Sequence, residues 1–129
     1  MISNSKVNAI ISHPAFQDLI VWQRAIELTL AIYKITASFP TSEQFGLTNQ
    51  LRRASVSVAS NIAEGYGRST TGEYVLFLGH ARGSNCEVQT QLVIAKALGF
   101  GPEVECAKAE QLANEVGRML VAMISKLRH

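Results

Sequence analysis

Gln50-Leu-Arg-Arg-Ala-Ser-Val-Ser-Val-Ala-Ser-Asn-Ile-Ala-Glu-Gly-Tyr-Gly-Arg68 sets the fold class of this chain. Leu47, Leu51, Ala54, Val58 and Ile62 recur through it at three- and four-residue steps, the spacing of one helix face. The helix is expected from about Phe45 to Glu64, with Gly65-Tyr66-Gly67 supplying a residue free to take positive φ at its C-terminal cap. Val56, Ala59 and Ala63 form a second, small-apolar stripe beside the inner one, and Arg52 and Arg53 set two cations near its start.

The same period extends outward in both directions. Upstream, Leu19, Trp22, Ala25 or Ile26, Thr29 and Ile32 or Tyr33 share one face, with Asp18 near the positive end and Phe39-Pro40-Thr41-Ser42 breaking the pattern. Downstream, Ser69-Thr70-Thr71-Gly72-Glu73 offers a hydroxyl cap and a first-turn acid for a third helix reaching Leu98. Its inner face is Tyr74, Phe77 or Leu78, Ala81, Ser84 or Asn85, Val88, Leu92 and Ala95. Gly99-Phe100-Gly101-Pro102 terminates it, with the proline suited to the next helix's first turn. The fourth helix carries Val104, Ala107, Leu112, Val116, Met119 or Leu120, Met123 and Leu127. Nothing alternates with strand period, so the expectation is an all-α, antiparallel up-and-down four-helix bundle. With 129 residues, 47% of them hydrophobic, one domain at 16–129 has a sizeable core, preceded by a flexible leader at 1–15 that closes near His13-Pro14.

Function classes are narrowed by what is missing. A net charge of +2 is far from histone-like, so polyanion binding needs local clustering or assembly. The start lacks the pattern of a signal peptide, and no apolar run approaches the roughly 18 to 20 residues of a membrane span, so a soluble cytoplasmic protein without membrane contact is expected. Cys86 and Cys106, twenty positions apart, suit reduced thiols rather than a disulfide framework or a metal site. Cys86 reads as a buried apolar residue rather than a nucleophile. Gly67-Arg-Ser-Thr-Thr-Gly72 has the outline of a phosphate loop, but Glu73 and Tyr74 stand where lysine and a hydroxyl residue are needed. His13, His80 and His129 have no ligand spacing. No catalytic residue, metal or cofactor is expected. An enzyme would need a deep pocket with polar groups converging near Asn61, Glu64 and Glu87. Those three read structurally instead: Glu64 pairs with Arg68 or Arg53, Glu87 with Arg82 or Arg118, and Asn61 bonds to Ser84, Asn85 or backbone of the third helix.

Two features suggest contacts beyond the monomer. Gly79 and Gly83 cost the third helix about 1 kcal/mol each relative to alanine, which close approach of another backbone would offset, either within the bundle or between subunits. Arg52, Arg53 and Arg68, with Arg24 and Arg82 as further surface cations, present forked donors suited to phosphate. The stretch around Arg52 and Arg53 has no interleaved aromatic for base stacking, which favours backbone contacts over sequence reading.

Four motifs occur in order: Phe16-x-Asp18-Leu19-x-x-Trp22, Phe45-Gly-Leu-x-x-Gln50-Leu-Arg-Arg-Ala54, Ser60-Asn-Ile-Ala-Glu-Gly65 and Ala81-x-Gly-Ser84-x-x-Glu87. Together they resemble the four-helix-bundle family of 23S rRNA intervening-sequence proteins over about Phe16 to Leu120. The resemblance implies a left-handed antiparallel bundle assembling as a ring-like homopentamer. It also implies kinship to the accessory protein of diversity-generating retroelements, which binds nucleic acid and a reverse transcriptase. Members often carry proline just before the Ser-Asn-Ile-Ala-Glu-Gly motif; Ala59 stands there in this chain. By resemblance, nucleic-acid contact is carried onto Arg52 and Arg53, with Arg24, Arg68 and Arg82 added on chemical grounds.

The leading expectation is a non-catalytic oligomeric accessory protein that binds RNA or DNA through phosphate contacts. The alternative is a protein-interaction scaffold that docks a partner protein with little nucleic-acid contact.

Overall fold

The structure is a computed structural model that describes residues 15–129, so nearly all of the expected leader lies outside the described residues. Four helices carry the fold: α1 (Ile20–Thr36), α2 (Leu47–Tyr66), α3 (Thr71–Ala97) and α4 (Glu103–Arg128). Short 3-10 turns at Phe16–Asp18 and Thr41–Glu43 precede α1 and α2. Among the described residues all regular structure is helical. Each helix packs on its two neighbours around the bundle, α2 and α4 on both α1 and α3. None of the helices is long and apolar enough to cross a membrane.

The ends follow local chemistry. Thr70 accepts a hydrogen bond from the Glu73 backbone N–H at 3.1 Å and caps α3 as expected. Glu43 does the same for α2, its Oε1 accepting from the Leu47 N–H at 3.1 Å. At the other end of α3, Gly99 takes φ 74°, and the N–H groups of Gly99 and Phe100 return to the carbonyls of Lys96 and Ala95. That is a Schellman stop, and it requires the left-handed conformation glycine adopts freely. Gly101 follows at φ 81°, and Pro102 caps α4 from just outside its first turn.

The expectation of a positive φ at Gly65-Tyr66-Gly67 is not met. α2 continues through Tyr66, and Gly67 caps it at φ −79°. The glycine at 65 answers a different need: a Cβ there would sit 2.8 Å from the Cβ of Phe77 and 3.2 Å from the Tyr74 carbonyl. The α2–α3 corner is simply too close for a side chain.

The core divides along the bundle axis. One half joins Leu28, Ile32, Leu51, Val88 and Leu92 near the α3–α4 turn; the other joins Val21, Val58, Ile62, Leu78 and Leu120 near the α2–α3 turn. The whole expected α2 stripe is buried. Of the second stripe, Ala59 joins that core, while Val56 is exposed and Ala63 half-buried, and all three line an open groove with Trp22 and Ile26 of α1. On α4 the expectation needs correcting: Val104 is 63% exposed and Ala107 is exposed, while Cys106, Ala109 and Ala113 face inward. The first half of α4 packs by small residues, and Val104 and Ala107, chosen there from hydropathy, fall on the outer side, whereas Leu112 packs against the core.

Candidate nucleic-acid interface

The five arginines expected to contact phosphate are dispersed. Arg24 is engaged within the bundle, its Nε 3.0 Å from Glu115 and its Nη1 3.0 Å from Glu27. The hydrogen bond it donates to Glu115, then the charge of Glu27, raises its pKa above the ordinary value. Arg52 donates from Nε to the Thr36 hydroxyl at 2.9 Å and lies 4.6 Å over the Tyr33 ring. An aromatic does therefore stand beside Arg52, brought from α1 by the fold rather than by neighbouring sequence. Arg68 pairs with Glu64, as one of the expected alternatives had it, and stacks 4.5 Å over Phe77. Arg53 and Arg82 are exposed and take part in no ion pair among the described residues.

Arg82 lies in a groove of about 620 Å³ between α3 and α4, and Arg118 lines it with Arg82. Asn85, Gln89, Asn114 and Ser125 complete its polar lining, and no carboxylate reaches it. Gln89 Nε2 donates to Asn114 Oδ1 at 2.9 Å across the two helices. Asn85, 1% exposed, donates to the Ala113 carbonyl at 2.8 Å and leaves Oδ1 without a partner. Cys86 lines the same groove and is exposed, against the expectation of a buried residue; the helix turns it one position away from buried Asn85. Arg118 was expected only as a partner for Glu87. Its signal was in the charge order of the last helix, where Glu103, Glu105, Glu110 and Glu115, interrupted by Lys108, precede Arg118, Lys126 and Arg128.

On the other flank of α3, a cleft of about 310 Å³ separates it from α2. Arg53 lines one side and Glu87 the other. Glu87 forms no ion pair among the described residues, so neither Arg82 nor Arg118 is its partner. Ser57 and Ser84 share a 2.8 Å hydroxyl hydrogen bond between the two helices. Asn61 does not reach α3 itself: its Nδ2 donates to the Ser57 carbonyl at 2.9 Å and to the Ser57 hydroxyl at 3.0 Å, so the link to Ser84 is indirect. Of Asn61, Glu64 and Glu87, only Glu87 lines the cleft. Gln50, Arg53, Ala54, Ser84 and Glu87, drawn from two separate sequence motifs, all meet there.

The family model for 23S rRNA-intervening sequence proteins matches residues 17–122. The chain belongs to this family. Its fold is similar to a crystal structure of a protein of unknown function from the S23 ribosomal protein family of Bacteroides thetaiotaomicron VPI-5482, at a TM-score of 0.73 and 18% identity. That similarity covers 81% of this chain and 98% of the other, and it bears on the fold alone. No curated protein matches the chain.

Two further features of this 23S rRNA-intervening sequence protein bear on the site. A Cβ built on Gly79 or Gly83 meets nothing within 4 Å, so among the described residues no neighbouring helix backbone approaches either glycine. Among the described residues no three His, Cys, Asp or Glu side chains are grouped to hold a metal ion.

Proposed function

We propose that this family member is a non-catalytic accessory protein that binds RNA or DNA in the cytoplasm by contacting phosphates along the α3–α4 groove. One observation carries the reading: Arg82 and Arg118 share an open groove that no carboxylate lines, and neither is tied up in an ion pair among the described residues. Arginine's planar fork suits phosphate oxygens, and amide and hydroxyl groups such as Gln89, Asn114 and Ser125 serve as additional donors. Arg53 adds a cation across α3, while Arg24, Arg52 and Arg68 are held by their own neighbours and contribute less.

The monomer's +2 charge is modest. The homopentameric ring that the family resemblance implies would raise it to about +10 and repeat the groove around the ring, strengthening attraction to a polyanion. Kinship to the retroelement accessory protein belongs to the same reading.

Anisotropy titrations with structured RNA and duplex DNA over a salt series test it. Affinity is expected to fall linearly on a log–log plot, and Arg82→Ala/Arg118→Ala to reduce the slope by about 2. Absence of binding at low salt removes the proposal. A scaffold that docks a protein partner is the second reading. It draws support from Val93, Leu98 and Val104, which are 57–64% exposed and bracket the α3–α4 turn.

A further inference from the structure

The cleft between α2 and α3 has a polarity that phosphate contact leaves unused. Arg53 and Glu87 line the same space of about 310 Å³ without forming a salt bridge to each other. Gln91 lines it as well; it is only 9% exposed, and its Oε1 is buried with no hydrogen-bond partner. A buried acceptor left in that state is costly, and a donor entering the cleft would satisfy it once the Gln91 amide turns toward that donor. Ala54 is the single apolar side chain in the lining. A hydrophobic ligand has little to gain there.

The complementary ligand presents adjacent N–H donors to Glu87 and Gln91, and adjacent acceptors to Arg53. Among the nucleobases guanine alone has both. Its N1–H and N2–H₂ lie side by side and suit a carboxylate, while its O6 and N7 lie side by side and suit the guanidinium fork. Adenine offers a donor at N6 flanked by acceptors, and the pyrimidines have no N7 edge. The Ser57 and Ser84 hydroxyls donate or accept as needed. The Watson–Crick edge is accessible only when the base is unpaired, so both edges can be read together only outside a duplex.

We infer that the α2–α3 cleft binds an unpaired guanine of a single-stranded nucleic acid, with Glu87 and Gln91 on its Watson–Crick edge and Arg53 on its O6/N7 edge. The inference rests on the nucleic-acid reading above and adds base recognition to phosphate contact.

The test is anisotropy at low salt with uridine-rich RNA 12-mers carrying one central guanosine, inosine or adenosine, and with the matching DNA strands. Guanosine is expected to bind about tenfold tighter than adenosine, with inosine, which lacks N2–H₂, in between. Glu87→Gln should abolish that preference without weakening the adenosine strand, because it removes the base contact together with a negative charge that repels the phosphates. A preference in RNA alone, DNA alone or both names the source of the base. Equal affinity for the guanosine and adenosine strands overturns the inference and leaves phosphate binding standing. Should no strand bind, the phosphate reading falls, and the cleft is then decided by titrating guanosine and adenosine monophosphates against the ¹⁵N-labelled protein. Shifts of the Gln91 side-chain amide with guanosine monophosphate alone uphold the cleft; identical responses to both overturn it.

Discussion

Helix α3 presents two different surfaces to its two neighbours. Toward α2 it approaches so closely at the corner that Gly65 cannot carry a side chain, and further along it opens a small cleft of mixed charge. Toward α4 the groove is twice as large, carries two arginines and no carboxylate, and is bridged by the amides of Asn85, Gln89 and Asn114. The difference teaches that one helix can present two polar surfaces of different charge. Charge on either side is set by what the opposing helix supplies: an arginine facing Glu87 from α2, an arginine joining Arg82 from α4.

The contrast can be broken most forcefully at the tight corner. Gly65→Ala is expected to cost about 1–2 kcal/mol net, overpacking against Phe77 and the Tyr74 backbone outweighing the gain in helix propensity, with a lower midpoint in urea unfolding. An unchanged midpoint would mean that the corner yields freely. On the open part of α3 the same substitution should act in the opposite direction. Gly79→Ala and Gly83→Ala each meet open space and should stabilise the monomer by about 0.5–1 kcal/mol. Light scattering distinguishes the alternatives left by these glycines: a smaller assembly in either variant assigns them to a subunit contact, and an unchanged one removes that role.

Nucleic acid in the α3–α4 groove should slow alkylation of exposed Cys86 several-fold, while Glu87→Gln on the opposite flank leaves that protection intact. Full reactivity in the complex would move the bound strand off this groove. The smallest effect concerns pH. Burial of Cys106, then the charges of Glu110 and Glu105, raise its thiol above the ordinary 9.0. The folded state therefore holds this proton more tightly than the unfolded chain. The stability it contributes is complete below about pH 9 and is lost as pH rises through the folded-state value. Cys106→Ala should flatten that alkaline decline, measured by urea midpoints between pH 8 and 10.

Much of the fold was legible because it depends on local signals. The stripe from Leu47 to Ile62, the Thr70 cap and the glycine stop after α3 each act within a few residues, and each is where the periodicity and turn chemistry put it. The first half of α4 was less legible, because alanine fits either side of a helix and leaves the face undecided. The candidate interface was legible only in part. Residue type marked Arg82 and Arg53 as candidates, but whether an arginine is available depends on distant partners: Glu115 for Arg24 and Tyr33 for Arg52 lie on other helices. Arg118 became a candidate only when the fold placed it beside Arg82.

Phe39, Gly101 and Cys106 meet at the α3–α4 end: a Cβ on Gly101 would lie 2.9 Å from both the Phe39 ring and the Cys106 sulfur, and Phe39 rests against Phe100 at 5.6 Å. Cys106 is thus largely buried beside an aromatic pair contributed by two different turns, at the floor of a surface pocket. Its labelling rate, set against that of Cys86 in the same molecule, is a stopwatch for fraying of this one end of the bundle, read without adding any probe to the chain.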